Sequence, residues 1–336
     1  MPSRLSDAII RPHPDFTSLQ ELPESYAWNQ RDDIDYPSFD SSAESVPIID
    51  LNDPNALQNI GHACRTWGVF QVINHGVSTT LLDMVESTSR TLFSLPVNQK
   101  LKAARSPDGV SGYGFARISS FFSKLMWSEE YKQEMKKLAG RLMCLMLGSL
   151  GITAKQDIKW AGPKSDFKEA SAALQLNYYP ACPDPDRAMG LAAHTDSTLL
   201  TILYQNSTSG LQVLKEGVGW IKVPPVPDGL VINVGDLMHI LSNGSYPSVL
   251  HRAMVNRTRH RLSIAYLYGP PSSVKISPHP KLVGPTHPPL YRPITWNEYL
   301  DTKAKYFNKA LSWVRVCVPL NGLVDVNEHN NSVKVG

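Results

Sequence analysis

Short apolar segments separated by turn residues follow one another through the second half of this 336-residue chain. Residues 199–204 and 230–234 are rich in Leu, Ile, Val and Tyr, and residues 211–214 and 220–223 flank a glycine-containing turn. Segments of this length and composition predict strands, and 211–223 predicts a hairpin. Many short strands at regular spacing are typical of two facing sheets. We therefore predict a jelly-roll core from about Ala172 onward.

The first half of the chain predicts helices mixed with two strands. Residues 46–51 and 69–73 predict strands. Apolar residues at helical spacing between Glu130 and Leu150 predict a long buried helix, with Gly151 just past its end. We expect four parts, an irregular N-terminal arm at 1–45, an α/β region at 46–150, a jelly-roll core with a C-terminal helix at 151–312, and a tail at 313–336.

A His-X-Asp motif and a distant histidine suggest a metal site. Two imidazoles and one carboxylate, here His194, Asp196 and His251, leave one face of a metal open, as in the facial triad of non-haem Fe(II) oxygenases. If His194 and Asp196 lie on one strand, their spacing points both side chains to the same side. The same three ligands with an open water position would also suit a zinc hydrolase.

An Arg-X-Ser motif follows the third histidine. We expect residues 248–255 and 261–268 to form a hairpin, so that Arg261 and Ser263 share one face of its second strand. A guanidinium and a hydroxyl can converge on one carboxylate, and Tyr179 can add a phenolic hydrogen bond. A dicarboxylic 2-keto acid fits such a site, whereas a zinc hydrolase does not explain Arg261 and Ser263.

These motifs, together with residues 67–76 (WGVFQVINHG) and 177–182 (NYYPAC), resemble the plant 2-oxoglutarate- and Fe(II)-dependent dioxygenases. The resemblance implies a mixed α/β fold, in which a double-stranded β-helix (jelly-roll) core carries an α-rich N-terminal region and flanking helices. It also implies Fe(II), 2-oxoglutarate as co-substrate and ascorbate as reductant. The implied iron ligands are His194, Asp196 and His251, and the implied 2-oxoglutarate ligands are Arg261, Ser263 and Tyr179.

Longer strings narrow the resemblance. Residues 105–114, 116–122, 189–198 and 265–271 are similar to the gibberellin 3-beta-dioxygenases. The implied reaction uses O2 to hydroxylate a gibberellin precursor, an apolar diterpenoid acid, at C3, which yields bioactive gibberellin, succinate and CO2. The protein would position the reactants, with no separate side-chain acid or base. Because pockets are mostly apolar with a few placed polar groups, we expect substrate contacts from the following residues: Tyr113, Arg117, Phe121 and Phe122.

One departure from the resembling enzymes concerns Glu129 and Glu130. In those enzymes a further loop and helix lie between the segment at 125–129 and the long central helix, whereas here Glu129 leads almost directly into that helix. We interpret this as an internal deletion near Glu129 and Glu130. Because the missing part is expected to help wall the substrate pocket, a shortened, inactive or altered relative that binds ligand without turnover is the alternative function.

The remaining features are those of an ordinary cytoplasmic enzyme. A net charge of +3 offers no nucleic-acid signal, and the apolar run at 142–147 is too short to span a membrane. We expect a cytoplasmic monomer that binds small molecules, with no nucleic-acid or membrane partner. Three other polar residues are expected to have local structural roles, His75 and Asp236 in turns and His239 at a strand end. The alternative for Asp236 is a hydrogen bond that supports a ligand histidine.

Overall fold

The computed structural model describes residues 19–28, 44–102, 128–162, 164 and 166–316. Within that part of the chain, the strands form a six-stranded sheet, a four-stranded sheet and a two-stranded ribbon. The large sheet has the order β1-β2-β8-β5-β10-β3, the small sheet has the order β4-β9-β6-β7, and β11 pairs with β12. The strands are β1 (Ile48–Asp50), β2 (Val69–Ile73), β3 (Ser171–Tyr179), β4 (Met189–His194), β5 (Leu200–Gln205), β6 (Leu211–Lys215), β7 (Gly219–Lys222), β8 (Leu230–Val234), β9 (His251–Met254), β10 (Arg261–Gly269), β11 (Lys275–Ile276) and β12 (Ile294–Thr295).

One long helix packs against the large sheet, and two shorter helices lie near the C-terminal end of the described residues. Short 3-10 segments lie at Glu24–Tyr26, Lys159–Ala161, Pro280–Leu282 and Phe307–Lys309. The α-helices are α1 (Ala56–Thr66), α2 (Thr79–Ser94), α3 (Val97–Leu101), α4 (Ser128–Gly148), α5 (Ala154–Asp157), α6 (Asp236–Leu241), α7 (Trp296–Tyr306) and α8 (Ala310–Val314). Among the described residues, no helix combines the length and apolar character that a membrane crossing needs.

The two main sheets enclose a core between them. Apolar side chains of alternate residues point inward from both sheets, including Leu203 and Ala265 of the large sheet and Val213 and Ile221 of the small one. This alternation is the period of two that a strand dictates. The arrangement is the predicted double-stranded β-helix, and the predicted β6–β7 hairpin is confirmed by its register.

The outer face of the large sheet is also buried, because α4 packs against it. Tyr131, Met135 and Leu142 of α4 are fully buried in the same cluster as Ile202 and Ile264 of the sheet. Burying a side chain such as Met135 or Leu142 contributes about 1.5–3 kcal/mol. Every residue of β10 is consequently buried, since alternate residues enter one of two cores. The sequence predicts this helix correctly to within two residues at each end.

Three local predictions are wrong. The predicted hairpin of residues 248–255 with 261–268 does not form, because β9 pairs with β4 and β6 whereas β10 pairs with β3 and β5. The intervening turn carries the chain from one sheet to the other. His239 lies inside α6 rather than at a strand end, where its ring contacts the Tyr246 carbonyl and the Tyr291 hydroxyl. The single C-terminal helix is interrupted by a 3-10 turn at Phe307–Lys309.

Candidate metal centre and anion pocket

Three side chains from separate positions converge at one end of the two sheets. His194 is the last residue of β4, Asp196 lies in the connection to β5, and His251 begins β9 directly opposite His194. The Nε2 atoms of His194 and His251 lie 3.8 and 3.7 Å from Asp196 Oδ1. One ligand atom from each residue falls within 4.8 Å of the other two, so the group could hold a metal ion.

The backbone around this group differs from the prediction that His194 and Asp196 share a strand. The β4–β9 register shifts between Leu191 and His194, and β4 ends at the histidine. The backbone N–H of Asp236 then donates to the Asp196 carbonyl at 2.7 Å. Asp196 is therefore presented by a corner that connects the two sheets, rather than by the regular alternation of one strand.

Hydrogen bonds to the backbone orient both histidine rings. His194 Nδ1 lies 2.8 Å from the carbonyl of Ala192, and His251 Nδ1 lies 3.2 Å from the carbonyl of Val249. A carbonyl only accepts, so each Nδ1 carries a proton and the Nε2 atom of each ring is the one that faces Asp196. Burial, together with the neighbouring His251, lowers the pKa of His194 to about 4, so this ring is neutral at pH 7 and able to bind a metal.

The carboxylate of Asp196 is held by two neighbouring strands. Asn233 of β8 donates from Nδ2 to Asp196 Oδ2 at 3.2 Å, and Thr201 of β5 also hydrogen-bonds to this carboxylate. Burial raises the pKa of Asp196, but the nearby His251 and His194 and these hydrogen bonds outweigh it, so that the pKa lies below its ordinary value. Two imidazoles and one fixed carboxylate are the donor set of an open-faced Fe(II) site.

Close packing of the backbone fixes this corner. A Cβ added to Gly235, which precedes Asp236, would lie 2.0 Å from the carbonyl oxygen of Thr198. No side chain fits there without moving the chain that leads from Asp196 into β5. The absence of a side chain at Gly235 therefore allows the backbone to pack closely at the corner that presents Asp196, which we call the metal corner.

Arg261 and Ser263 point from β10 into the space between the sheets, as their spacing predicts. Arg261 is 1% exposed, and its Nη1 lies 3.4 Å from Ser263 Oγ while its Nη2 donates to Gln205 Oε1 at 3.2 Å. Its Nε has no hydrogen-bond partner, and no carboxylate pairs with it among the described residues. Because burying an unpaired charge is costly, we expect the Arg261 guanidinium to bind an anion in this pocket.

Tyr179 completes this pocket. It lies opposite Arg261 in the β3–β10 register, and the guanidinium carbon is 5.2 Å from its ring centroid. Two glycines leave room for these side chains. A Cβ on Gly210 would come within 2.7 Å of Arg261 Cδ, and one on Gly190 would come within 2.6 Å of Tyr179 Cδ1.

The metal group and the anion pocket open into one cavity. That cavity is lined by the six residues that the sequence singles out, His194, Asp196, His251, Tyr179, Arg261 and Ser263. A small molecule with a carboxylate at one end and two oxygen ligands at the other matches it. The donor chemistry thus fits both Fe(II) and 2-oxoglutarate.

Sequence reasoning missed two groups of supporting residues. Thr201 and Gln205 lie on the same face of β5, and period-two alternation could have identified them. The sequence favours a turn role for Asp236 over a supporting role at a ligand histidine, whereas in the structure Asp236 forms a buried ion pair with Lys303 and accepts a hydrogen bond from Thr195. His75 occupies the loop between β2 and α2, where its ring contacts the Asp228 carbonyl and the Val77 N–H.

The predicted substrate contacts lie outside the described residues. This concerns Tyr113, Arg117, Phe121 and Phe122. The site of the apparent deletion, Glu129 and Glu130, falls in the first turn of α4.

Two family models match the chain. Residues 170–270 match the 2OG-Fe(II) oxygenase superfamily, a segment that includes all six cavity residues named above. Residues 46–139 match the N-terminal region of the non-haem dioxygenase in morphine synthesis.

Curated proteins and solved structures agree with these matches. The chain is 64% identical to gibberellin 3-beta-dioxygenase 1 of Pisum sativum, over 96% of this chain and 95% of the relative. It is 56% identical to gibberellin 3-beta-dioxygenase 1 of Arabidopsis thaliana, over 94% and 99%. Among crystal structures, that of JOX2 in complex with 2OG, Fe and JA is 31% identical and has a TM-score of 0.77, covering 91% of this chain and 99% of the other.

The alignment with the Pisum sativum protein extends over 357 positions, which is more than the 336 residues of the whole chain. That relative therefore has residues for which this chain has no counterpart, in agreement with a shortened chain; the position of the gap near Glu129 and Glu130 stays a prediction. The family matches and the high identity over nearly the full length lead to one conclusion. The chain belongs to the 2OG-Fe(II) oxygenase superfamily.

Proposed function

We propose that the protein catalyses the Fe(II)- and 2-oxoglutarate-dependent hydroxylation of a gibberellin precursor at C3. The observation that carries the proposal is the single cavity in which a His-Asp-His group faces a buried arginine that lacks a carboxylate partner among the described residues. The names of the relatives at 64% and 56% identity supply the substrate class. A hydroxylated, bioactive gibberellin, succinate and CO2 would be the products.

Each residue of the cavity has a role in this proposal. The Nε2 atoms of His194 and His251 and one oxygen of Asp196 would hold Fe(II), and their one-sided arrangement would leave positions for 2-oxoglutarate and O2. Arg261 and Ser263, with the Tyr179 hydroxyl, would bind the far carboxylate of 2-oxoglutarate. The bound metal would supply the redox chemistry by which O2 is shared between the two substrates, one oxygen atom converting a C–H bond to C–OH and the other entering succinate as 2-oxoglutarate loses CO2.

The protein's own contribution in this proposal is positioning rather than proton transfer. The neutral His194 and the hydrogen-bonded carboxylate of Asp196 keep the ligand atoms ready for the metal without a change of protonation at neutral pH. Holding two reactants in one geometry removes much of the entropic cost of their reaction. A metal-dependent hydrolase is disfavoured, since it has no use for an arginine buried beside the metal group.

The shortened chain gives the second candidate function. The alignment that is longer than this chain supports an altered relative that binds the co-substrate but holds the gibberellin poorly. Tyr113, Arg117, Phe121 and Phe122 stay proposed substrate contacts, and a monomeric state, a cytoplasmic location and the use of ascorbate stay predictions.

Product identification tests the proposed function. Purified protein would be incubated with Fe(II), 2-oxoglutarate, ascorbate, O2 and a gibberellin that lacks the C3 hydroxyl, and the product's hydroxyl position would be assigned by mass spectrometry and NMR. We expect a 3β-hydroxylated product that disappears in His194→Ala. Hydroxylation at another carbon would contradict the proposed regiochemistry. The absence of product from folded, iron-loaded protein would favour the binding relative.

A further inference from the structure

A buried cluster of polar side chains lies directly behind the metal corner. Lys303 of α7 is 3% exposed, and its Nζ donates to Asp236 Oδ2 and to Thr195 Oγ1, both at 2.5 Å. The same Asp236 oxygen accepts from Thr195 Oγ1 at 3.1 Å and from the Tyr299 hydroxyl at 2.7 Å. Thr195 is the residue between His194 and Asp196. The cluster therefore hydrogen-bonds to the middle residue of the His-X-Asp motif.

The cluster also reaches the backbone of a proposed ligand. Asp236 is fully buried, and its N–H donates to the carbonyl of Asp196 at 2.7 Å. One residue therefore connects the C-terminal helix, through its side chain, to the backbone of the carboxylate ligand, through its N–H.

A second contact comes from the 3-10 turn that follows α7. Asn308 Nδ2 donates to the carbonyl of Ala193 at 3.0 Å. Ala193 precedes His194, just as Thr195 follows it. The C-terminal segment thus holds the chain on both sides of this histidine, by two contacts from different residues.

Stability alone is a poor explanation for an ion pair in this position. The cost of removing two charges from water often exceeds their attraction, and apolar replacements of a buried pair are often neutral or stabilising. What a buried pair does well is to fix one geometry among several. Here the fixed geometry is that of the segment from Ala193 to Asp196.

We infer that α7 and the turn after it position the metal ligands, with Lys303 and Asn308 as positioning residues that act through Thr195, Asp236 and the backbone of Ala193. Neither residue touches the metal in this account. The inference rests on the proposed iron site and is independent of which gibberellin is the substrate. It assigns to α7 and the turn after it an indirect effect on iron affinity, through the backbone on both sides of His194.

The test is the dissociation constant of Fe(II), measured anaerobically by calorimetry on the full chain. We call the hydrogen bonds from Lys303, Asp236 and Asn308 to the segment 193–196 the clasp. Three variants weaken it: Lys303→Met, Asn308→Ala and Thr195→Val. Thr195→Val keeps the Lys303–Asp236 pair and so spares the fold if Lys303→Met does not fold. Lys305→Met, an exposed lysine on the same helix, is the matched control.

We expect Fe(II) to bind about 10–100-fold more weakly to Lys303→Met and Thr195→Val, which is the loss typical of residues that orient metal ligands. The loss of Fe(II) affinity in Asn308→Ala should be smaller. Lys305→Met should bind like the parent. The visible charge-transfer band of the Fe(II)–2-oxoglutarate complex should shift in the clasp variants, because the ligand geometry changes. Thermal unfolding of the metal-free proteins measures fold stability separately.

Fe(II) binding by the variants tests the positioning role, and Fe(II) binding by the parent and by His194→Ala tests the iron site. If folded Thr195→Val, or folded Lys303→Met, binds Fe(II) as tightly as the parent with an unchanged band, the cluster is merely structural and the inference is wrong, whatever the unfolding temperature. If the parent does not bind Fe(II), or if His194→Ala binds it equally well, the proposed iron site itself fails.

Discussion

Replacing Arg261 with leucine should weaken the binding of 2-oxoglutarate without weakening the fold. In the parent, the far carboxylate would receive two charge-assisted hydrogen bonds from the guanidinium fork, each contributing about 1.5–3 kcal/mol. Their loss amounts to about 3–6 kcal/mol, or about 10²–10⁴-fold in the dissociation constant at 1.4 kcal/mol per tenfold.

The fold should tolerate this change because Arg261 is an unpaired cation in the described structure. Its partners are the uncharged side chains of Gln205, Ser263 and Tyr179, and its Nε is unsatisfied. Burial lowers the pKa of Arg261, a sign that the charged form is poorly solvated there. Removing such a charge relieves its desolvation cost, so the metal-free variant should unfold at a temperature no lower than the parent.

Anaerobic calorimetry with Fe(II)-loaded protein measures the affinity for 2-oxoglutarate directly. Arg259→Leu is the matched control, because Arg259 is exposed and only two residues away on the chain. Fe(II) affinity should be unchanged in both variants. A loss of 2-oxoglutarate affinity below about tenfold in a folded Arg261→Leu would refute the assignment of this arginine, since even one charge-assisted bond corresponds to more than that.

Three further predictions follow from the same geometry. Asn233→Leu should remove one of the two side-chain hydrogen bonds that hold the Asp196 carboxylate and weaken Fe(II) binding about 10–100-fold, measured by calorimetry. Gly235→Ala should lower the free energy of unfolding in urea by about 1–3 kcal/mol or more, since its Cβ meets backbone, whereas Gly284→Ala, with nothing within 4 Å, should not. Burial lowers the pKa of His239, so the unfolded chain binds a proton that the folded chain does not; melting temperature should fall as pH drops below the ordinary value of 6.5, less steeply in His239→Gln.

The candidate site could be predicted from the sequence wherever a residue type and a period were enough. Arg261 and Ser263 share a face because a strand alternates, and β10 keeps that alternation through nine residues. The apolar stripe of α4 likewise predicts a helix against the sheet, because burial of such a stripe is what stabilises a helix.

Long-range pairing could not be read from the same patterns. Residues 248–255 and 261–268 have the composition of a hairpin, yet β9 and β10 enter different sheets, because local propensity does not specify a strand's partner. The clasp of Lys303 on Asp236 joins residues that are 67 positions apart. A lysine in an amphipathic helix normally predicts a solvated face, and only the tertiary structure shows that this one is buried.

The coupling ratio, in moles of 3β-hydroxylated gibberellin formed per mole of succinate, tests the central claim most directly. It is measured on the unmodified chain with a C3-unhydroxylated gibberellin. A cavity that holds iron, 2-oxoglutarate and substrate together should give a ratio near one, despite the shortened chain. Succinate formed without hydroxylated gibberellin would contradict the account, because it would show a working iron and 2-oxoglutarate site that does not position this substrate.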